Sequence, residues 1–120
     1  MASYSAFLKA MRMSEQQVWE MTTNRTDQTT FDKHYPVKLA ASVIHGVGLF
    51  SERVFNPGDY ICPSRVLDKR TPAGRYMNHD ENANTEMVWA ADKKTIDVFA
   101  SKSIKPGDEL TTDYFKNANL

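Results

Sequence analysis

Two periods of apolar residues divide the chain. Between residues 3 and 22 the period is helical: Phe7, Met11, Val18 and Met21 share one face, with Leu8 and Trp19 beside it. Ser3 suits an N-cap, and Thr22-Thr23-Asn24 suits an end. The pattern predicts one helix there. Its stripe either packs on a domain core or docks a partner or second copy, since Trp and Met are enriched at interfaces. Residues 23–36 are polar and lack a period, which predicts a linker that is extended at Tyr35-Pro36.

From Val37 onward the period shortens to that of strands. Strands are expected over 37–44, 49–54 and 60–66. A hairpin is expected from 87–91 and 95–100 around Asp92-Lys93-Lys94, then a short strand over 110–114. His45-Gly46-Val47-Gly48 and Asn56-Pro57-Gly58-Asp59 read as turns. Residues 67–74 read as a charged loop and 115–120 as a tail. By strand alternation Trp89 and Phe99 read as core. Val54-Phe55-Asn56-Pro57-Gly58-Asp59 echoes Ile104-Lys105-Pro106-Gly107-Asp108-Glu109, each placing Pro-Gly-Asp before a strand. The expected fold class is mostly β, with several short strands in small sheets and one N-terminal α-helix. Residues 1–36 form the helix and linker, and residues 37–120 the β domain.

The chain has 120 residues, one domain's worth. Its 41% hydrophobic and 25% charged content belongs to the soluble globular class. Fifteen basic residues balance fifteen acidic ones, which argues against a nucleic-acid partner. Cys62 is the single cysteine, so neither an internal disulfide nor a cysteine-built zinc cluster is available, and no metal is expected. No apolar run is long enough to span a bilayer. Lys9 and Arg12 interrupt any signal-peptide core. The expected location is therefore the cytoplasm or a host-cell interior.

Two stretches carry chemistry. Arg75-Tyr76-Met77-Asn78-His79-Asp80-Glu81-Asn82-Ala83-Asn84 is an Asn-dense polar segment, and Asn side chains both donate and accept. Ile104-Lys105-Pro106-Gly107-Asp108-Glu109-Leu110-Thr111-Thr112-Asp113-Tyr114 is a turn, a short strand and a terminal Tyr. Together they resemble the SET domain, the fold of protein lysine methyltransferases. The family's Arg-Phe-Ile-Asn-His-Ser and Cys-x-Pro-Asn frame maps onto Arg75 to Asn84 without a gap. Its Gly-Glu-Glu-Leu and Asp-Tyr ending maps onto the second stretch. Gly46-Val47-Gly48-Leu49-Phe50, with Pro57-Gly58-Asp59, is similar to the family's opening Gly-x-Gly and following strand. The three motifs occur in order over roughly two thirds of the chain.

The resemblance implies a β-clip fold in which a C-terminal pseudoknot brings the Asn-His motif beside the final Tyr. It also implies methyl transfer from S-adenosyl-L-methionine to a lysine side chain of a protein substrate. Tyr114 takes the position of the catalytic tyrosine. Gly46, Val47, Gly48, Arg75, Tyr76, Asn78 and His79 take cofactor-binding positions. A homodimer through the N-terminal helix is a further expectation. Three departures favour an alternative, a catalytically impaired SET-like module used in binding or assembly. Asp80-Glu81-Asn82-Ala83 replaces the Ser-Cys-x-Pro segment, only about eight residues stand between Val66 and Arg75 where the family places an insert, and the segment after Tyr114 is too short for the family's lid.

Overall fold

The computed structural model describes residues 27–118 and 120. The helix expected over 3–22 lies outside the described residues. Among the described residues, eight strands form two four-stranded sheets. In the first, β1 (Val37–Ala41), β2 (Val47–Ser51), β8 (Glu109–Thr112) and β5 (Asn78–His79) lie side by side in that order. In the second the order is β4 (Lys69–Arg70), β3 (Tyr60–Val66), β7 (Thr95–Ala100) and β6 (Thr85–Trp89). Leu49, Phe55, Ile61, Cys62, Val98, Ile104 and Leu110, from both sheets and the turns between them, form one buried cluster. The mostly β class and the hairpin about residues 92–94 stand as expected.

The repeated Pro-Gly-Asp segments are structural twins that bind each other. Phe55 and Ile104 exchange main-chain hydrogen bonds of 3.0 and 2.9 Å. Each following turn is closed by its Asp, with Asp59 accepting from Asn56 N–H at 2.8 Å and Asp108 from Lys105 N–H at 2.9 Å. The Gly58 and Gly107 amides donate to Ala100 and Ser51 carbonyls in matching fashion. Gly58 has φ 92 and Gly107 φ 89, left-handed values that favour glycine.

Three expectations are corrected. Residues 67–74 are not a plain loop: they turn at Leu67, form β4 and start α1 (Pro72–Tyr76). Thr71 caps α1, accepting from the Ala73 and Gly74 amides while donating to the Pro63 carbonyl at 2.7 Å. With Pro72 in the first turn this is a standard helix start. Tyr114–Asn117 is α2 rather than a tail, capped by Asp113 through the Phe115 amide at 2.9 Å. Trp89 and Phe99 lie outside the core. Trp89 is 43% exposed, and Phe99 meets Tyr60 edge-on at 5.6 Å on the outward face of the second sheet.

Burial, then the nearby Asp97 charge, pushes the Cys62 thiol up from 9.0 to about 12. Burial followed by Asp97 also pushes the Tyr60 phenol up from 10.0 to about 12, though Tyr60 is 43% exposed and water screens its share. Tyr35 moves the same way, through burial and then its hydrogen bond to Asp32. Between about 9 and 12 the unfolded chain therefore holds fewer protons than the folded one. Stability is full below pH 9 and falls as pH rises from there. Urea midpoints measured from pH 8 to 11 are expected to drop, and Cys62→Ala is expected to flatten the first part of the drop.

Candidate functional site

Asn78 and His79 follow α1 directly and pair in parallel with β8, Asn78 opposite Thr111 and His79 opposite Thr112. The far side of β8 pairs with β2. Asn84 reinforces this placement from a side chain. Its amide donates to the Glu109 carbonyl at 2.9 Å and its Oδ1 accepts from the Thr111 amide at 2.9 Å, as a neighbouring strand would. The Thr85 hydroxyl donates to the Thr111 carbonyl at 2.7 Å. These bonds bring together two segments that are distant in sequence.

Tyr114 is the first residue after the Asp113 cap, and three contacts seat it. Its hydroxyl donates to the Met77 carbonyl at 2.8 Å. Its amide donates to His79 Nδ1 at 3.0 Å. The His79 ring lies 5.1 Å from the Tyr114 ring and 5.5 Å from that of Phe115. An accepting Nδ1 carries no proton, so a neutral His79 carries its proton on Nε2. The Asp113 carboxylate lies 4.0 Å from Nδ1. The His79 side chain thus faces the protein and orients the start of α2.

Asn78 faces the glycine turn, and it is 7% exposed. Its Nδ2 reaches Ser42 Oγ at 3.1 Å, the His45 carbonyl at 3.0 Å and Glu109 Oε2 at 2.8 Å. Ser42 in turn donates to the Glu109 carboxylate at 2.7 Å and accepts from the Ile44 amide at 2.9 Å. One carboxylate thereby holds the turn from 42 to 46 and the motif at 78 together. The two glycines differ in purpose. Gly46 (φ 49) is open, and a Cβ built there meets nothing within 4 Å. Gly48 is buried, and a Cβ there would strike the Glu109 carboxylate. Arg75 turns elsewhere: its Nη1 donates to Gln28 Oε1 at 2.8 Å, and its guanidinium lies 4.7 Å over the Tyr76 ring.

The structure thus brings Gly46, Val47, Gly48, Asn78, His79 and Tyr114 into one connected network and directs Arg75 toward Gln28, with Tyr76 beneath its guanidinium. Ser42, Met77 and Glu109 belong to that network and were not singled out from the sequence. Glu109 sat in the recognised Gly-Asp-Glu-Leu segment, which was its only signal. Among the described residues no group of three or more His, Cys, Asp or Glu is placed to hold a metal, and no helix is long and apolar enough to cross a membrane.

Residues 64–115 match the SET domain family model. The match covers a little under half of the chain. A stretch of 42 residues is 50% identical to the histone-lysine N-methyltransferase ASHH3 of Arabidopsis thaliana, covering 33% of this chain and 12% of that protein. Among solved structures, a candidate histone methyltransferase of Plasmodium falciparum superimposes with a TM-score of 0.53 at 17% identity, covering 68% of this chain and 95% of that one. A chain of the humanized mutant Chaetomium thermophilum Polycomb Repressive Complex 2, bound to the inhibitor GSK126, gives 0.57 at 20% identity, covering 71% and 15%. These structural likenesses show the SET fold.

If the Glu109 carboxylate is what Gly48 accommodates, the two positions are coupled. Gly48→Ala is expected to cost about 1–3 kcal/mol, because the carboxylate must leave its donors. In a Glu109→Ala background the same change is expected to cost at least about 1 kcal/mol less, read as a double-mutant cycle from urea unfolding.

Proposed function

We propose that this SET domain transfers a methyl group from S-adenosyl-L-methionine to a lysine side chain of a protein substrate. The observation that carries the reading is the joining of Tyr114 to Met77 and His79, which sets the tyrosine of one motif against the Asn-His pair of another. The Tyr114 hydroxyl proton is spent on the Met77 carbonyl, so the lone pairs of the oxygen point away from it. An incoming lysine amine that donates an N–H to this oxygen would have its lone pair aimed. That amine must be neutral, which a desolvated approach favours.

The residues fit the cofactor in part. The turn at Gly46 is open and Val47 is 45% exposed, so main-chain groups there are within a ligand's reach. With Gly48 and the main chain at Asn78 and His79 they would hold it, and Arg75 and Tyr76 would wall the α1 side. S-adenosyl-L-methionine, when bound, supplies a methyl group on a sulfonium, already activated for in-line displacement. A homodimer through residues 3–22 belongs to the same proposal, and a monomer mass by light scattering removes it.

One observation favours a binding module without turnover: the amide of Asn78 is engaged by three acceptors within the protein. Calorimetric titration of S-adenosyl-L-methionine decides between the readings. Heat of binding is expected, together with methyl uptake by a lysine-containing protein pool. Tyr114→Phe is expected to lower transfer by about 100-fold while circular dichroism shows the fold retained. Absence of both binding and uptake sinks the enzyme reading.

A further inference from the structure

We propose that the outer edge of β6 is a docking site where an extended, basic segment of a partner protein adds to the second sheet as a further strand. β6 is the last strand of that sheet, and among the described residues only β7 pairs with it. The Ala90 amide donates to the Thr95 carbonyl at 2.8 Å, which marks that pair as hydrogen-bonded. Antiparallel pairs alternate, so Val88–Asp97 and Glu86–Phe99 are bonded as well. The main-chain groups of Thr85, Met87 and Trp89 therefore face away from β7. Thr85 lies against β8 and Asn117 Nδ2 reaches the Met87 sulfur at 3.4 Å, so among the described residues the main-chain groups of Met87 and Trp89 form the open part.

The one charge on β6 is Glu86. Thr85–Trp89 contains no Pro, Gly or Lys, and its register against β7 is regular, whereas the irregularities of this sheet fall on β3. There is room beside it, since a cavity of about 340 Å³ lies between β6 and the Asp113–Asn117 region, lined by the acids Glu81, Glu86 and Asp113 and by the bases Lys102 and Lys116. Val88 and Trp89, each 43% exposed, offer apolar contacts at one end.

The charge on the outward face selects the occupant. Glu86 stands opposite Phe99, and Asp97 stands opposite Val88, so both carboxylates share that face close to the edge. Burial and then the neighbouring Asp92 push the Asp97 carboxyl up, so the exposed Glu86 is the carboxylate nearest to an incoming strand. Phe99 stands opposite Glu86, and its ring meets that of Tyr60, which hydrogen-bonds Asp97. A Lys or Arg on the incoming strand, across from Glu86, meets a carboxylate and an aromatic face together. Main-chain bonds supply affinity, and this row supplies the preference for cations. The site uses none of Gly46, Asn78 or Tyr114 and stands whether or not the chain transfers methyl groups.

The probe is the peptide acetyl-Val-Lys-Val-Lys-Val-Lys-amide, titrated into the ¹⁵N-labelled full chain at low salt. Shifts at the Met87 and Trp89 amides that saturate are expected. A version with Glu in place of Lys is expected to bind at least about fivefold more weakly, and Glu86→Lys to weaken the Lys peptide similarly. A version N-methylated at alternate backbone nitrogens is expected to lose binding, because one of its edges cannot pair. Equal binding of the acidic peptide, unchanged affinity in Glu86→Lys, or shifts confined to other residues would overturn the proposal. So would a protein that sediments as a dimer by itself and takes up no peptide, since the edge would then belong to a second copy.

Discussion

The placement of β8 between β2 and β5 is the constraint on which the site depends. Leu110 fixes it: buried completely, it is the residue that must point into the core. Alternation then sends Glu109 the other way, to Ser42, Gly48 and Asn78. A slip of one residue would drive the Glu109 carboxylate into the apolar cluster and expose Leu110. Burying an unpaired charge is far more costly than any single hydrogen bond gained, so the register is firmly set. Tyr114, two residues beyond Thr112, inherits its position from that choice.

Polar residues in the two motifs spend most of their hydrogen-bonding capacity on the chain itself. Asn84 imitates a strand, Asn78 ties down a turn, and His79 receives an amide from the helix that follows. A side chain so committed positions backbone and does not reach a ligand directly. Main-chain groups and the open turn at Gly46 are what the network leaves facing outward. Changes at Asn78 or Glu109 therefore act on the shape of the site and on stability together.

The parts legible in the sequence were those with a long enough period. β3 and the β6–β7 hairpin follow from alternation, and the Pro-Gly-Asp turns from their residue types. Alternation sorts residues into two faces without saying which face is covered, and for that reason Phe99 was misplaced; Trp89 stands opposite buried Ile96 but at the end of an edge strand, where the core does not reach to cover it. α1 and α2 are too short for a helical stripe, though Thr71-Pro72 and Asp113 carried the start signals. The two-residue β5 leaves no periodic trace at all, and no local rule pairs Asn78 with Thr111. That meeting was anticipated only through the likeness of the two motifs to a known family. The Glu109 hub, built from residues far apart in the chain, had no such guide.

The mated turns at Phe55 and Ile104 have a kinetic consequence. Each arm can fold its own bend early, because its Asp and Gly act locally. The bond between them waits on a diffusive search by a long intervening segment. Assembly is thus divided into quick local steps and one slow encounter, which closes the two sheets around a single core.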